Sequence, residues 1–486
     1  MLIHIFKYEW LTLVKNRVFL TVFSFSMLLC ILALWSGYRE YHKQNSVVQQ
    51  IQETERAYYD KLSVELADIE QNGWTGSSWS NPADPTSLAL GIGARYAYRK
   101  PHFMQIINGG QSDLHPYYYK ITGTKHQAFF HHAEIKNGML NFIGRYDLSF
   151  VIIFLLPLLI IAFSFDILGK EKEGGTLPYL YASQWSLATV FLCKYLFRSL
   201  VFFMGVWLVS TVCLGCSLQS MNFLVTWPFL IWSLLVFGYM SFWFCLTFFV
   251  SSMGISANYT ASTAVVVWLM AVVLLPGILE YITEASYPLP SRSGLIVQSR
   301  DAGVEAQKKA ADILKEYVEE HPELAANHED LNMNDFGTRY FTVLNEVEAS
   351  MKPSADDFGR RLEQRDHFIK SLSIISPALL SQEIMNEISA NTNFHYRFLE
   401  ADANAIKKEL REFYLKKIIQ GQVLKSNEIP YLPGLVHSEI YYQSDLSWLF
   451  RNTMIIWGLC LLFLILGIGR YRSMTSSEFS KILAGK

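Results

Sequence analysis

Long uncharged apolar runs organise this chain, in place of the short alternating patterns of a soluble core. A helix needs about 20 apolar residues to cross a hydrocarbon layer ~30 Å thick. Six stretches meet that need: 18–35, 149–166, 199–218, 223–250, 259–279 and 448–469. Arg451 lies within the last, close enough to its start to snorkel to the interface. The fold class this predicts is an α-helical polytopic membrane protein with six transmembrane helices. Two large segments, 36–148 and 280–447, interrupt the series as mainly helical (α or α+β) insertions.

Ahead of the first span, residues 1–17 place Phe6, Trp10 and Leu11 among polar residues at helical spacing, which predicts a helix lying in the membrane interface. The span ends in Leu34-Trp35-Ser36-Gly37, without a small-x-small cleavage site, so it reads as an uncleaved anchor. In the first insertion, Val48, Ile51, Tyr58, Leu62 and Ile69 predict an amphipathic helix over 38–72 that continues the first span. A Gly-, Ser- and Trp-rich loop follows. In the second insertion, helices are expected over 304–320, 335–350 and 397–419, punctuated by Pro288, Pro290, Pro353, Pro377, Pro430 and Pro433. Segments tethered at both ends suit a lid or vestibule.

Basic residues set the orientation. Lys7, Lys15 and Arg17 precede the first span, Lys170, Lys172, Lys194 and Arg198 bracket 167–198, and Arg470, Arg472, Lys481 and Lys486 follow the last span. With six spans these all fall on one side, which places both termini and 167–198 in the cytoplasm and both insertions outside. The chain has 486 residues and a net charge of −2, which gives no sign of a nucleic-acid partner. All six cysteines lie in or beside spans, so the insertions are expected to fold without disulfides. Cys213-x-x-Cys216 sits in an apolar helix with no second pair and reads as packing.

Enzymatic signatures are weak. His126, His131, His132 and Glu134, with His102 and His115 upstream, offer imidazole and carboxylate, but the spacing fits no helical zinc motif. Polar surface histidines, with no metal bound, are the expectation. No G-x-S-x-G elbow and no G-x-x-x-x-G-K-[ST] phosphate loop is present. Asn108-Gly109-Gly110-Gln111 contains the Gly-Gly-Gln of an ATPase signature, but it falls in a segment expected to lie outside the cytoplasm. The polypeptide is therefore not expected to hydrolyse ATP itself.

The most specific stretch is 166–198. Asp166 closes an apolar span, KEKEGGTL follows as Lys170–Leu177, and a half-polar helix leads to Lys194 and Arg198. Gly174-Gly175 permits a sharp exit from the membrane helix. Thr176 is expected to cap a new helix running to Ala188, with Glu171 and Glu173 near its positive end and Pro178 in its first turn. Leu177, Leu180 and Tyr181 then offer an apolar knob to a soluble partner.

Asp166, Glu171, Glu173, Gly175, Thr176, Leu177 and Leu180 match the D…E-x-E-x-G-T-L-x-x-L stretch of the type-2 permeases of ABC transporters, which this chain resembles. The two large insertions, with Ser376-Pro377-Ala378-Leu379 in the second, are similar to a bacterial subgroup with extended external domains. The resemblance implies a permease subunit of the bacterial inner membrane, coupled through 167–198 to separate ATP-binding subunits that hold the ATP and magnesium. It implies a second permease, identical or homologous, among membrane lipids, with a periplasmic partner for the external domains and export as the usual direction. The uncharged middles of the spans leave a second reading open, in which ATPase strokes act on a periplasmic partner with nothing crossing the membrane. A third, a metalloenzyme using the histidine cluster, would need activity that depends on His131 and His132.

Overall fold

The computed structural model describes residues 2–112, 115–124, 146–176, 179–180, 186–253, 256–310, 312–313, 336–434 and 445–483. Local chemistry sets where its helices begin. Asn16 separates α1 (Leu2–Lys15) from α2 (Arg17–Asn72): its Oδ1 accepts from the backbone amides of Val18 at 3.1 Å and Phe19 at 3.3 Å. At 1.5 Å per residue, α2 is about 84 Å long, far more than a ~30 Å hydrocarbon layer needs. Phe19, Cys30 and Leu34 on its first half face the bundle, while Tyr59, Leu62 and Leu66 on its second half join a different core.

The bundle continues with α3 (148–164), α4 (Ile167–Glu173), α5 (Leu187–Leu218), α6 (Trp227–Ser251), α7 (Ala257–Ser286) and, at the end of the chain, α12 (Leu446–Leu483). Six helical stretches of the described chain are long and apolar enough to cross a membrane: in α2, in α3 running on into α4, in α5, in α6, in α7 and in α12. Of the apolar window of α6, 72% is buried, against 17% for α7, so α6 is the central post and α7 the outlying one.

Two prolines shape the spans. Pro157 lacks an N–H, and just before it α3 opens into a π turn at Val151–Leu155. The carbonyl of Ile153, four residues earlier, accepts instead from the Tyr239 hydroxyl of α6 at 3.0 Å. Pro276 follows a second π turn, Leu269–Leu274. The carbonyl of Ala271 accepts from the Ser376 hydroxyl at 2.9 Å.

Between α7 and α12 lie α8 (Arg292–Lys308), α9 (Phe336–Leu372), α10 (Pro377–Ile388) and α11 (Asn393–Ile419). Pro353 does not interrupt α9, contrary to its expected role as punctuation. Between α2 and α3, β1 (Arg95–Tyr98) pairs antiparallel with β2 (Tyr118–Ile121), with Arg95 opposite Ile121. The two inserted segments share one core: Tyr59, Leu62, Ala97 and Tyr119 of the first pack with Phe341, Leu399, Leu410 and Tyr414 of the second. Of the amphipathic face expected over 38–72, Tyr58, Leu62 and Ile69 pack on this shared core.

Helix α10 joins that module to the bundle. Its Leu380, Ile384, Met385 and Ile388 belong to the core of the spans, so it lies across one end of the bundle, here the far end. Asn108, from the Gly-Gly-Gln segment, fixes the same junction by donating to Asn386 Oδ1 at 3.0 Å and Ser389 Oγ at 2.9 Å. All six cysteines are free.

Candidate functional site

At the near end, α3 stops at Ser164 and the chain turns into α4. Asp166 and Lys170 pair across one turn at 2.6 Å. Gly174 donates its amide to Lys170 O at 2.9 Å, and Gly175 takes a left-handed φ of 66° that a residue with a Cβ resists. Thr176 then donates its amide to Glu171 O at 3.1 Å, the reversed bond that closes a helix end. The Thr176 hydroxyl turns back onto the Glu171 carboxylate and, among the described residues, accepts no bond from the turn ahead. That turn nevertheless begins at Thr176, whose carbonyl accepts from Tyr179 N at 3.1 Å and Leu180 N at 3.2 Å.

Glu171 points inward. Its Oε1 lies 2.5 Å from Lys194 Nζ on α5, and Lys194 is also 3.4 Å from Glu9 Oε1 on α1. One turn further along α5, Arg198 Nη2 lies 3.2 Å from Glu9 Oε2, and Arg198 Nη1 donates to the Phe163 carbonyl of α3 at 2.7 Å. Two carboxylates and two cations thus close a neutral quartet at the meeting point of α1, α3, α4 and α5. The Glu9 side chain is 2% exposed and that of Glu171 17%, so water screens these pairs little.

The same stretch of α5 also contacts α3, α6 and α12. The Tyr195 hydroxyl lies 2.9 Å from Ser164 O and 3.1 Å from Ser251 Oγ, and Ser251 is 2.8 Å from the Tyr471 hydroxyl of α12. Tyr471 stacks on Phe191 of α5 and Phe248 of α6. Through Lys194, Tyr195, Arg198 and Phe191, α5 thus touches α1, α3, α6 and α12.

The predicted residues fall into distinct places. Asp166, Glu171, Gly174, Gly175 and Thr176 build the turn; Glu173 ends α4, and its side chain lies outside the described residues. Leu177 and Tyr181 lie outside them too, as do His126, His131, His132 and Glu134. Leu180 packs back onto the bundle core, whereas Tyr179 stands 79% exposed beside it. Phe6 meets Phe197 at 4.9 Å between ring centres, while Trp10 and Leu11 are exposed on α1. His115 lies 2.9 Å from Asn393 Oδ1 and stacks on Tyr396. Among the described residues no three metal-ligating side chains converge.

Sequence reasoning missed Glu9, Tyr179 and Tyr195. Glu9 left a signal: it is the one acid in α1, which otherwise carries Lys7 and Lys15. A lone acid on a basic membrane-adjacent helix has reason to face a buried cation.

A family model described as "ABC-2 family transporter protein" matches residues 3–476, nearly the whole chain. No curated protein and no solved structure matches it.

Proposed function

Since this chain belongs to the ABC-2 family of transporter proteins and is a multi-pass helical permease, we propose that the 167–198 region couples it to separate ATP-binding subunits. The observation that carries this reading is the Glu171–Lys194–Glu9–Arg198 quartet, which ties the turn after α4 to α5 and α1. A subunit that grips the exposed Tyr179 side of the turn would push on Glu171, and Lys194 would pass that push to α5. Glu171 then acts as a positioning residue, held inside the permease and not offered to the partner. ATP and magnesium belong to the partner chains.

The transported substrate would move between two permeases, identical or homologous. In support, the cavity between α5 and α6, lined by Tyr195, Ser199, Ser241 and Phe248, measures about 10 Å³, room for roughly one water. The thinly buried α7 offers an apolar face to lipid or to the second permease. On this reading 167–198 and both termini are cytoplasmic, the module around α9–α11 is extracytoplasmic, and the stroke drives export. A second reading draws on the unbroken length of α2 from the near end to the far module: the stroke would travel along it to an external partner, with nothing crossing.

The test is affinity purification of the tagged chain from its native membrane beside two variants, Tyr179→Asp and the triple Glu171→Lys/Glu173→Lys/Leu177→Asp. A P-loop ATPase should accompany the parent and be lost from both. Its absence from the parent preparation in mild detergent would remove the transporter coupling proposed here.

A further inference from the structure

At the far end, a cleft of about 130 Å³ opens between α9, α10 and the start of α11. A cavity of roughly 150 Å³ accommodates a molecule the size of benzene, about six non-hydrogen atoms. Its charged lining is Glu363, Asp366 and Lys370 of α9, Glu383 of α10 and Arg397 of α11.

Both cations of that lining are engaged. Lys370 Nζ lies 3.2 Å from Glu387 Oε2 and 5.3 Å above the Trp448 ring, and Arg397 Nη2 lies 4.0 Å from Glu363 Oε2. Two carboxylates are left over. Asp366 accepts a hydrogen bond from the Asn393 amide at 2.9 Å and, among the described residues, has no cation within 4.0 Å. Glu383 has neither a hydrogen bond nor an ion pair among them. Gln111, also in the lining, holds a buried Oε1 with no hydrogen-bond partner among the described residues, and Phe394 adds an aromatic wall.

These unmet groups are thus acceptors, two of them acidic, in a lining that also holds the His367 imidazole and the Asn386 amide. Their complement is a compact donor carrying positive charge. An ammonium group has three donors and no acceptor, and an aliphatic body of four carbons fits the remaining volume beside Phe394. A metal ion fits less well, because no three ligating side chains converge among the described residues. We infer that this cleft binds a small organic primary amine in its ammonium form, with Asp366 and Glu383 as the anionic walls and Gln111 as a further acceptor. The amine arrives either as a free solute or as the headgroup of an aminophospholipid, since Trp448, whose ring lies under Lys370 of the lining, is near the start of α12 and the expected membrane surface.

The inference does not depend on ATPase partnership, and its test uses the full chain alone. Binding of 1,4-diaminobutane is measured at pH 8, where Glu383 is ionised and the amine still protonated, by calorimetry on the chain in phosphatidylcholine nanodiscs, beside Glu383→Gln, Asp366→Asn and the neutral isostere 1,4-butanediol. Saturable binding is expected for the diamine, with at least a tenfold weaker Kd in each variant and none for the diol. Repeating the titration in nanodiscs containing phosphatidylethanolamine separates the sources: weaker apparent binding assigns the site to the lipid headgroup, and unchanged binding to the free amine. Absence of saturable binding, equal binding of the diol, or parent-like binding in both variants would overturn the proposal. Magnesium chloride in place of the diamine, binding with the same dependence on both carboxylates, would overturn it in favour of a metal site.

Discussion

Arg198 on α5 and Glu9 on α1 are 189 residues apart in sequence, yet the guanidinium holds Glu9 Oε2 from both Nε, at 3.3 Å, and Nη2, at 3.2 Å. Because Glu9 also meets Lys194, it anchors two cations that would otherwise be buried without a counter-charge. Removing one member of a buried ion pair typically costs about 3–5 kcal/mol, through the charge left behind. Glu9→Gln is therefore expected to lower the thermal midpoint of the purified chain more than Glu171→Gln, whose site is more open and whose Lys194 keeps Glu9. Arg198→Met added to Glu9→Gln should recover part of the loss, since it removes the orphaned charge. Equal midpoints for the two single variants would show that Glu9 does not organise the quartet.

Ser376 performs two tasks with one side chain. Its Oγ donates to Ala271 O in α7 and accepts from the amide of Leu379 at the start of α10. The first bond serves a carbonyl that Pro276 leaves near an opened turn. Leaving a fully buried acceptor unmet costs about 1–3 kcal/mol, an upper bound for the partly buried Ala271 carbonyl, and loss of a helix cap about 0.5–2 kcal/mol. Ser376→Ala should therefore be among the more damaging single-atom deletions in the chain, read as a lower thermal midpoint. Ser376→Thr keeps the hydroxyl and should retain most of the stability; a Thr variant as unstable as Ala would point to steric fit in place of the hydrogen bonds.

Gly110 carries the junction between the Gly-Gly-Gln segment and the α10–α11 link. Its φ is +51°, and a Cβ there would lie 2.8 Å from Asn391 Cβ and 3.0 Å from Asn391 O. Gly110→Ala therefore meets both backbone strain, of order 1–3 kcal/mol, and a clash with atoms that cannot swing away. Faster hydrogen exchange is expected at the Gln111 and Asn391 amides, which bond Asn391 O and Asn386 O, while α6 stays protected. Unchanged exchange at both amides would mean that the segment is not pinned there.

The apolar runs were legible because burial in a membrane demands a continuous stretch of sequence, so the six candidate spans need no tertiary information. The turn at Gly174-Gly175 was legible for a local reason too: only a residue without a Cβ readily adopts the left-handed φ found at Gly175. What stayed hidden depends on distant partners. As a lone acid Glu9 hints at a buried cation, but nothing near it in sequence says which, and Lys194 and Arg198 read instead as flanking positive charges. The shared core of the two insertions is of the same kind, since Leu62 of α2 and Leu410 of α11 join one cluster only once both insertions fold together. Pro353 shows the opposite failure, where a strong local signal yields to the packing of Val347 and Met351 around it.

Glu383 gives the far-end module a dependence on pH. Burial pushes its carboxyl up to about 7, with Lys370 opposing the shift and Asp366, Glu387 and Glu280 adding to it. Burial raises Asp366 as well, in spite of the Asn393 hydrogen bond and the Arg397, Lys370 and His367 charges around it. Unfolded, the Glu383 carboxyl returns to its ordinary value of 4.5, so between these limits the folded state holds the extra proton. The stabilising contribution is therefore complete below about pH 4.5 and is lost as pH rises through about 7. The parent's thermal midpoint should fall between pH 5 and pH 8, and Glu383→Gln, which carries no proton to lose, should show a shallower fall. Asp366→Asn added to it should flatten the profile further, because both carboxyls act with the same sign. If Glu383→Gln instead tracks the parent across that range, the proton is not held at Glu383, and the carboxylate is better solvated than its place in the cleft implies.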